Sequence, residues 1–159
     1  MHPLSPLADT LLDLLAAEED LLRAALANQQ DVYAALRRGD LAEAQALAAE
    51  QPALAAYMRR AAEARAAASS ALARELDAPA AAALADLAAR LPAEPAGRCL
   101  AVRDVLRALT AEIAAVQARK ANLIAHLRSF LRGALTAAGA PEPSSRYGPT
   151  GSRLAPASA

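Results

Sequence analysis

Cysteine occurs once in the 159-residue chain, at Cys99. A lone thiol cannot close an internal disulfide, so the sequence fits a reducing cytosol. No neighbouring base in the sequence marks it as a nucleophile, which leaves a half-buried structural role. Aromatic residues make up only 3% of the chain, against 55% hydrophobic residues in all. Alanine supplies most of that apolar count, leucine comes second, and β-branched residues are scarce. Such a composition favours helix over sheet. Small core side chains give close helix contacts but modest burial, with each well-buried Leu contributing roughly 1.5–3 kcal/mol.

The motifs of catalysis and metal binding are missing too. No Glu-x-x-His pair exists for a di-iron bundle, and no Gly-rich phosphate loop is present. Glu18 and Glu19 are adjacent, so on a helix they point in different directions. His126 has no metal-ligand spacing with His2 and reads as a surface or rim histidine. An enzyme, a cofactor and a metal are therefore not expected. The N-terminus lacks a basic leader region and meets acids at Asp9 and Asp13, so no signal peptide is read there. No stretch of about 20 residues is apolar and uncharged enough to span a bilayer. A cytoplasmic protein without membrane insertion is expected.

What the chain has in quantity is helical periodicity. Its longest run, Leu100 to Leu135, repeats apolar residues at Val102, Leu106, Leu109, Ile113 and Val116, then at Leu123, Leu127 and Phe130. Steps of four and three alternate, and Lys120 is the one polar break. This is a heptad-like seam that calls for a long partner helix. Through Val116 the seam reads as core. For Leu123 to Leu131, with Arg128 and Arg132 nearby, core and exposed docking surface remain equal alternatives. Asn122, beside the seam, fits a register-fixing role between helices better than a ligand contact.

The charges sum to zero but divide unevenly. Residues 1–95 hold 8 Arg and 14 acids, net −6; residues 96–159 hold 9 Lys or Arg and 3 acids, net +6. The two halves should attract each other. Arg103, Arg107, Arg119 and Arg128 lack interleaved aromatics, so the basic half does not read as a nucleic-acid surface.

In chain order, Ser5 and Pro6 read as an N-cap followed by proline at the first helical position. The first helix carries Leu7, Leu11, Leu15, Leu22, Val32 and Leu36 in one stripe, widened by Leu12, Leu14 and Leu26 enough to touch two neighbours. Arg37 and Arg38 suit its last turn, and Gly39 ends it. Asp40 with Glu43 predicts an acidic capping box opening an antiparallel second helix to about Leu76. Its seam is Leu41, Leu47, Leu54, Met58, Leu72 and Leu76, with a kink or short break expected near Gln51 because of Pro52. Asp77 is expected to cap a short helix through Leu91, either a lid or a packing wedge. Pro92, Pro95 and Gly97 then bend the chain into the long helix, which Gly139 and Pro141 end. The expected fold is all-α: an elongated antiparallel bundle or coiled-coil hairpin of three to four helices over residues 1–138. Residues 139–159, rich in Gly, Pro, Ser and Ala, read as a disordered tail. Within the tail, Tyr147 is flanked by turn formers, which marks it as a docking candidate.

Several of these segments together resemble the FlgN family of flagellar export chaperones. They are the acidic leucine-rich run Leu11-Leu12-Asp13-Leu14-Leu15-Ala16-Ala17-Glu18-Glu19 and the Gly39-Asp40-Leu41 helix corner. Arg119-Lys120-Ala121-Asn122-Leu123-Ile124 and the Tyr147-Gly148-Pro149-Thr150-Gly151 tail complete the set. High alanine content and Pro52 are departures from the family pattern. The resemblance implies a chaperone that binds hook-associated proteins, covers their assembly segments and passes them to the flagellar type III export gate. Asn122, Leu123, Leu127, Arg128, Phe130 and Leu131 would then meet cargo, and Tyr147 the gate. The rival reading is a structural bundle protein that self-associates through the same seam into homo-oligomers.

Overall fold

The computed structural model describes residues 6–139. Leu4, the Ser5 cap and the tail from residue 140, Tyr147 included, lie outside the described residues. Helices account for most of the described chain, in the order α1 (Pro6–Arg38), α2 (Leu41–Ala48), α3 (Gln51–Glu75), α4 (Leu84–Ala88) and α5 (Ala93–Ala137). Among the described residues there is no strand. The chain divides into two compact units, Met1–Lys120 and Ala121–Ala159.

The first helix begins at Pro6 and stops where Gly39 takes φ +76°. Gly39 N–H donates to Leu36 C=O at 3.1 Å and Asp40 N–H to Ala35 C=O at 3.0 Å, a Schellman stop that satisfies two late carbonyls. Only half of the expected capping box forms. Asp40 Oδ1 accepts from Glu43 N–H at 2.9 Å, but the Glu43 carboxylate pairs with Arg38 instead of reaching back. The Asp40 N–H is already used by Ala35, so the reciprocal bond has no donor.

Pro52 acts as expected. The second helix breaks after Ala48, and α3 restarts with the proline in its first turn, where a missing N–H costs little. Leu41 is a correction: it was expected in the seam but is 65% exposed. Ala44 and Leu47 take the inward face of α2, and Leu41, beside the chain reversal, is left outside.

Helices α1 and α3 are antiparallel. Glu18 meets Arg65, and Ala8, Leu11 and Leu15, earlier in α1, meet Ala68 and Leu72, later in α3; Asn28, farther along α1, bonds to Leu47 in α2, just ahead of α3. Alanines on both helices let these backbones approach closely. The early part of α5 runs parallel to α1, from Leu12 against Cys99 to Gln29 against Lys120. It reaches α1 chiefly through long side chains. The expected attraction between acidic and basic halves is not carried by ion pairs. Among the described residues, Arg23–Glu19, Arg38–Glu43, Arg65–Glu18 and Arg103–Asp104 all stay within one half. Gln30 donating to Glu112 at 3.3 Å, Lys120 donating to Gln29 at 2.6 Å, and Arg119 over the Tyr33 ring join α1 to α5 instead.

The short α4 is a wedge, with Leu87 and Ala88 buried, but it spans only five residues. Asp77 does not cap it. Asp77 takes φ +51° and ends α3, with Ala78 N–H donating to Ala73 C=O at 2.8 Å. The Arg90 guanidinium donates to the carbonyls of Leu76 and Asp77, at 3.1 and 2.9 Å, and so holds this stop. Left-handed backbone is strained for aspartate and free for glycine. Asp77→Gly is therefore expected to stabilise the fold by about 1 kcal/mol, raising the melting midpoint roughly 2–4 °C in a thermal scan.

Cys99 is fully buried, deeper than the half-burial expected, in a cluster with Leu12 and Ala88. Burial pushes its thiol pKa up, partly offset by Arg98. Because the folded pKa is raised, the fold favours the neutral thiol. Its contribution is complete below the ordinary thiol range and is lost as pH rises above about 8.5. Urea titrations should find stability falling there in the native protein and flatter in Cys99→Val.

Candidate functional site

The large apolar side chains left exposed among the described residues are not scattered evenly. Leu41 and Tyr57 stand singly, while Leu127 (39% exposed), Phe130 (73%), Leu131 (58%) and Leu135 (51%) follow one another on consecutive turns of α5. All four lie in the second unit. At 3.6 residues per turn they share, with half-buried Leu123, a stripe about 140° wide. Ile124, also half-buried, falls inside it. Single exposed leucines are normal on a protein surface, whereas a contiguous strip marks an interaction site.

Helix formation here needs little explanation. Ala, Leu and Arg dominate the segment, and Gly139 at φ +70° ends it. Arg128 and Arg132, both exposed, lie one turn apart along one edge of the stripe. Residues 113–139 contain no Asp or Glu. Neither guanidinium has an acidic partner in its own segment. The opposite helix face carries Ser129, Gly133 and Thr136, the last donating from Oγ1 to Arg132 C=O at 3.0 Å. The site thus offers hydrophobic anchors at helical spacing plus one cationic edge. It offers nothing for covalent or acid–base chemistry, and among the described residues no cluster of His, Cys, Asp and Glu could hold a metal.

Of the candidate residues, Leu123, Leu127, Arg128, Phe130 and Leu131 come together on this face. Asn122 does not: it is exposed and falls well outside the stripe, its carbonyl accepting from His126 Nδ1 at 2.7 Å. His126 is exposed, as a surface histidine should be. Tyr147 lies outside the described residues. Upstream, Val116 is buried as expected of core, but Val102, Leu106, Leu109 and Ile113 are only half covered.

The sequence pattern did not single out Gln29. It is buried within the leucine stripe of α1 and takes the Lys120 ammonium. A gap in that stripe between Leu22 and Val32 was the available signal.

No helix among the described residues is long and apolar enough to cross a membrane. Comparison with curated proteins and with solved structures returned no match. A family profile described as "FlgN protein" does match, over residues 1–154. With nearly the whole chain covered, and with an all-helical architecture of the expected order, the chain belongs to the FlgN family of flagellar export chaperones.

Proposed function

We propose that this chaperone receives the terminal helical segment of a hook-associated protein on the strip formed by Leu123, Leu127, Phe130 and Leu131, in the cytoplasm and without enzymatic activity of its own. The observation that carries the reading is the concentration of exposed large apolar side chains between residues 127 and 135. A partner helix laid along that strip would bury anchors at i, i+3 and i+4 spacing, the helix-in-groove mode of recognition. Arg128 and Arg132 would meet acids along one edge of the cargo helix. A segment that must order itself on binding gives up part of the interaction energy, which keeps affinity moderate and release feasible. Covering the segment also blocks its premature assembly. We assign delivery to the export gate to Tyr147, on the resemblance of the tail to the family motif.

The competing reading is homo-oligomerisation through the same strip. The absence of any carboxylate from residues 113–139 disfavours it, because a second copy of this segment brings more arginine to an already cationic edge. Light scattering separates the two. The purified chain alone should not form a stable oligomer, and it should gain mass stoichiometrically when a hook-associated terminal segment is added. A stable oligomer that ignores cargo would favour the rival. For the tail, Tyr147→Ala should retain cargo binding and lose export in a secretion assay; normal export would remove the gate assignment.

A further inference from the structure

Two cavities in the first unit share the same three helices as walls. One, of about 570 Å³, is lined by Leu15 and Glu18 of α1, Arg65 of α3, and Leu106 and Thr110 of α5, with Leu84 of α4 at its end. The other, of about 360 Å³, is lined by Ala25 and Gln29 of α1, Leu54 and Met58 of α3, and Ile113 and Gln117 of α5. On each helix the two sets fall on one face. Leu106, Thr110, Ile113 and Gln117 step by four, three and four, and Leu54, Met58 and Arg65 keep the same heptad phase. The cavities are therefore two stations along one trough. The stretch of α5 that lines it, Arg103 to Gln117, is roughly 20 Å long, about four turns of helix.

Burial shows which way the trough opens. Leu15, Ala25 and Gln29 are buried and form its floor. Leu54, Met58, Leu106 and Ile113 are only half-buried, and Ala55 and Ala114 on its rims are exposed. Backbone-close packing joins α3 to α1 but does not extend from α3 to α5, which leaves the gap between them. The two ends differ in charge. Arg65, Arg103 and Arg107 line the end toward α4, against a single carboxylate, Glu18. Arg65 is held by Glu18 at 2.6 Å and Arg103 by Asp104 at 2.7 Å, while Arg107 is exposed and has no ion-pair partner among the described residues. The other end is lined by no ionisable side chain.

Three heptad-spaced faces turned to one open trough are what a four-helix bundle presents when one helix is missing. We propose that the trough receives a single amphipathic helix of a partner polypeptide, about four turns long, with leucines and alanines inward and carboxylates in its first turn against Arg65, Arg103 and Arg107. Charge selects this occupant. Carboxylates suit the first turn of a helix, and here they answer a wall of three guanidiniums and one acid. A second copy of the chain offers the stripe from Leu123 to Leu135, which carries Arg128 and Arg132 and no acid, and so sets arginine against arginine. Residues 140–159 hold four prolines and a single leucine, too little for an apolar helical face. The trough lies in the first unit and the strip in the second, so they are separate sites.

The test titrates the full chain into a fluorescent synthetic helix of about four turns, with Leu and Ala at heptad spacing, Gln elsewhere and three Glu in its first turn. Anisotropy should saturate in the micromolar range. A twin with Gln for the three Glu should bind about fivefold more weakly, and a Lys twin at least about tenfold more weakly. Arg107→Glu should narrow or reverse that order. Ala55→Glu with Ala114→Glu places carboxylates on exposed rims that the helix would cover, so it should abolish binding of the Glu probe and the Gln twin alike at an unchanged melting midpoint. Ala55→Gln with Ala114→Gln serves as a neutral obstruction should the first pair not fold. Leu127→Glu/Phe130→Glu should bind the probe as the native chain does, which separates this site from the cargo strip. Absence of saturable binding, indifference to a folded rim variant, or loss in the strip variant would overturn the proposal. An affinity that falls as the chain is concentrated would also overturn it, by giving the trough to a second copy.

Discussion

The Leu127→Glu/Phe130→Glu double variant is expected to fold normally and to lose cargo binding by a hundredfold or more. Both halves follow from exposure. Phe130 is 73% exposed and Leu127, at 39%, lies at the open edge, so a flexible charged side chain at either position can reach water and costs the fold little. In a complex the same positions would sit beneath the partner helix. Each replacement then removes an apolar anchor and buries a carboxylate with no partner. A combined penalty of about 3 kcal/mol, modest for two central anchors, already corresponds to more than a hundredfold in Kd. Circular dichroism and thermal melting check the fold, and calorimetric titration with a hook-associated terminal segment checks binding. Undiminished binding by a folded double variant would refute the strip as the cargo site. A companion charge reversal, Arg128→Glu with Arg132→Glu, should act more mildly, because exposed ion pairs contribute little each and are screened by salt.

Leu72→Ala carries the largest expected effect on stability. Leu72 is fully buried, on the inward face of α3 against Ala8, Leu11 and Leu15. Truncation removes the transfer contribution of the lost atoms and leaves a hole among Ala8, Leu11, Leu15 and Ala68. Leu→Ala changes at such sites cost about 2–5 kcal/mol. Urea denaturation should find the midpoint sharply lowered with little change in slope. A loss below about 1 kcal/mol would mean that the contact between α1 and α3 contributes far less than its burial implies.

Much of this architecture was readable from local chemistry. Pro6, Gly39 and Gly139 mark helix ends because backbone geometry leaves them few other roles, and Pro52 announces a break wherever it falls inside a helical pattern. The seam residues of α5 were readable from spacing alone. Whether Leu123 to Leu131 would be covered was not, because periodicity states that a face is apolar and not what lies against it. The same gap explains Leu41, an apolar residue at an inward-looking spacing that is left 65% exposed. Asp77 misled for a different reason: aspartate is favoured at the start of a helix but also occurs, at some strain, in the left-handed backbone that ends one, and only the observed φ separates the two. The polar break at Lys120 was visible in sequence, but its answer, Gln29 on α1, required the third dimension.

The alanine faces that bring α1 and α3 together have a consequence for how such a chain can change over time. Where Ala8 and Ala68 pack beside Leu11, Leu15 and Leu72, one added methylene must push two backbones apart, while the outward sides of both helices have free space. Drift in related chains should therefore be one-sided, with bulk tolerated on the solvent faces and refused along this line of contact. The scarcity of large side chains, which looks like a weak core, acts here as a tight spacing rule.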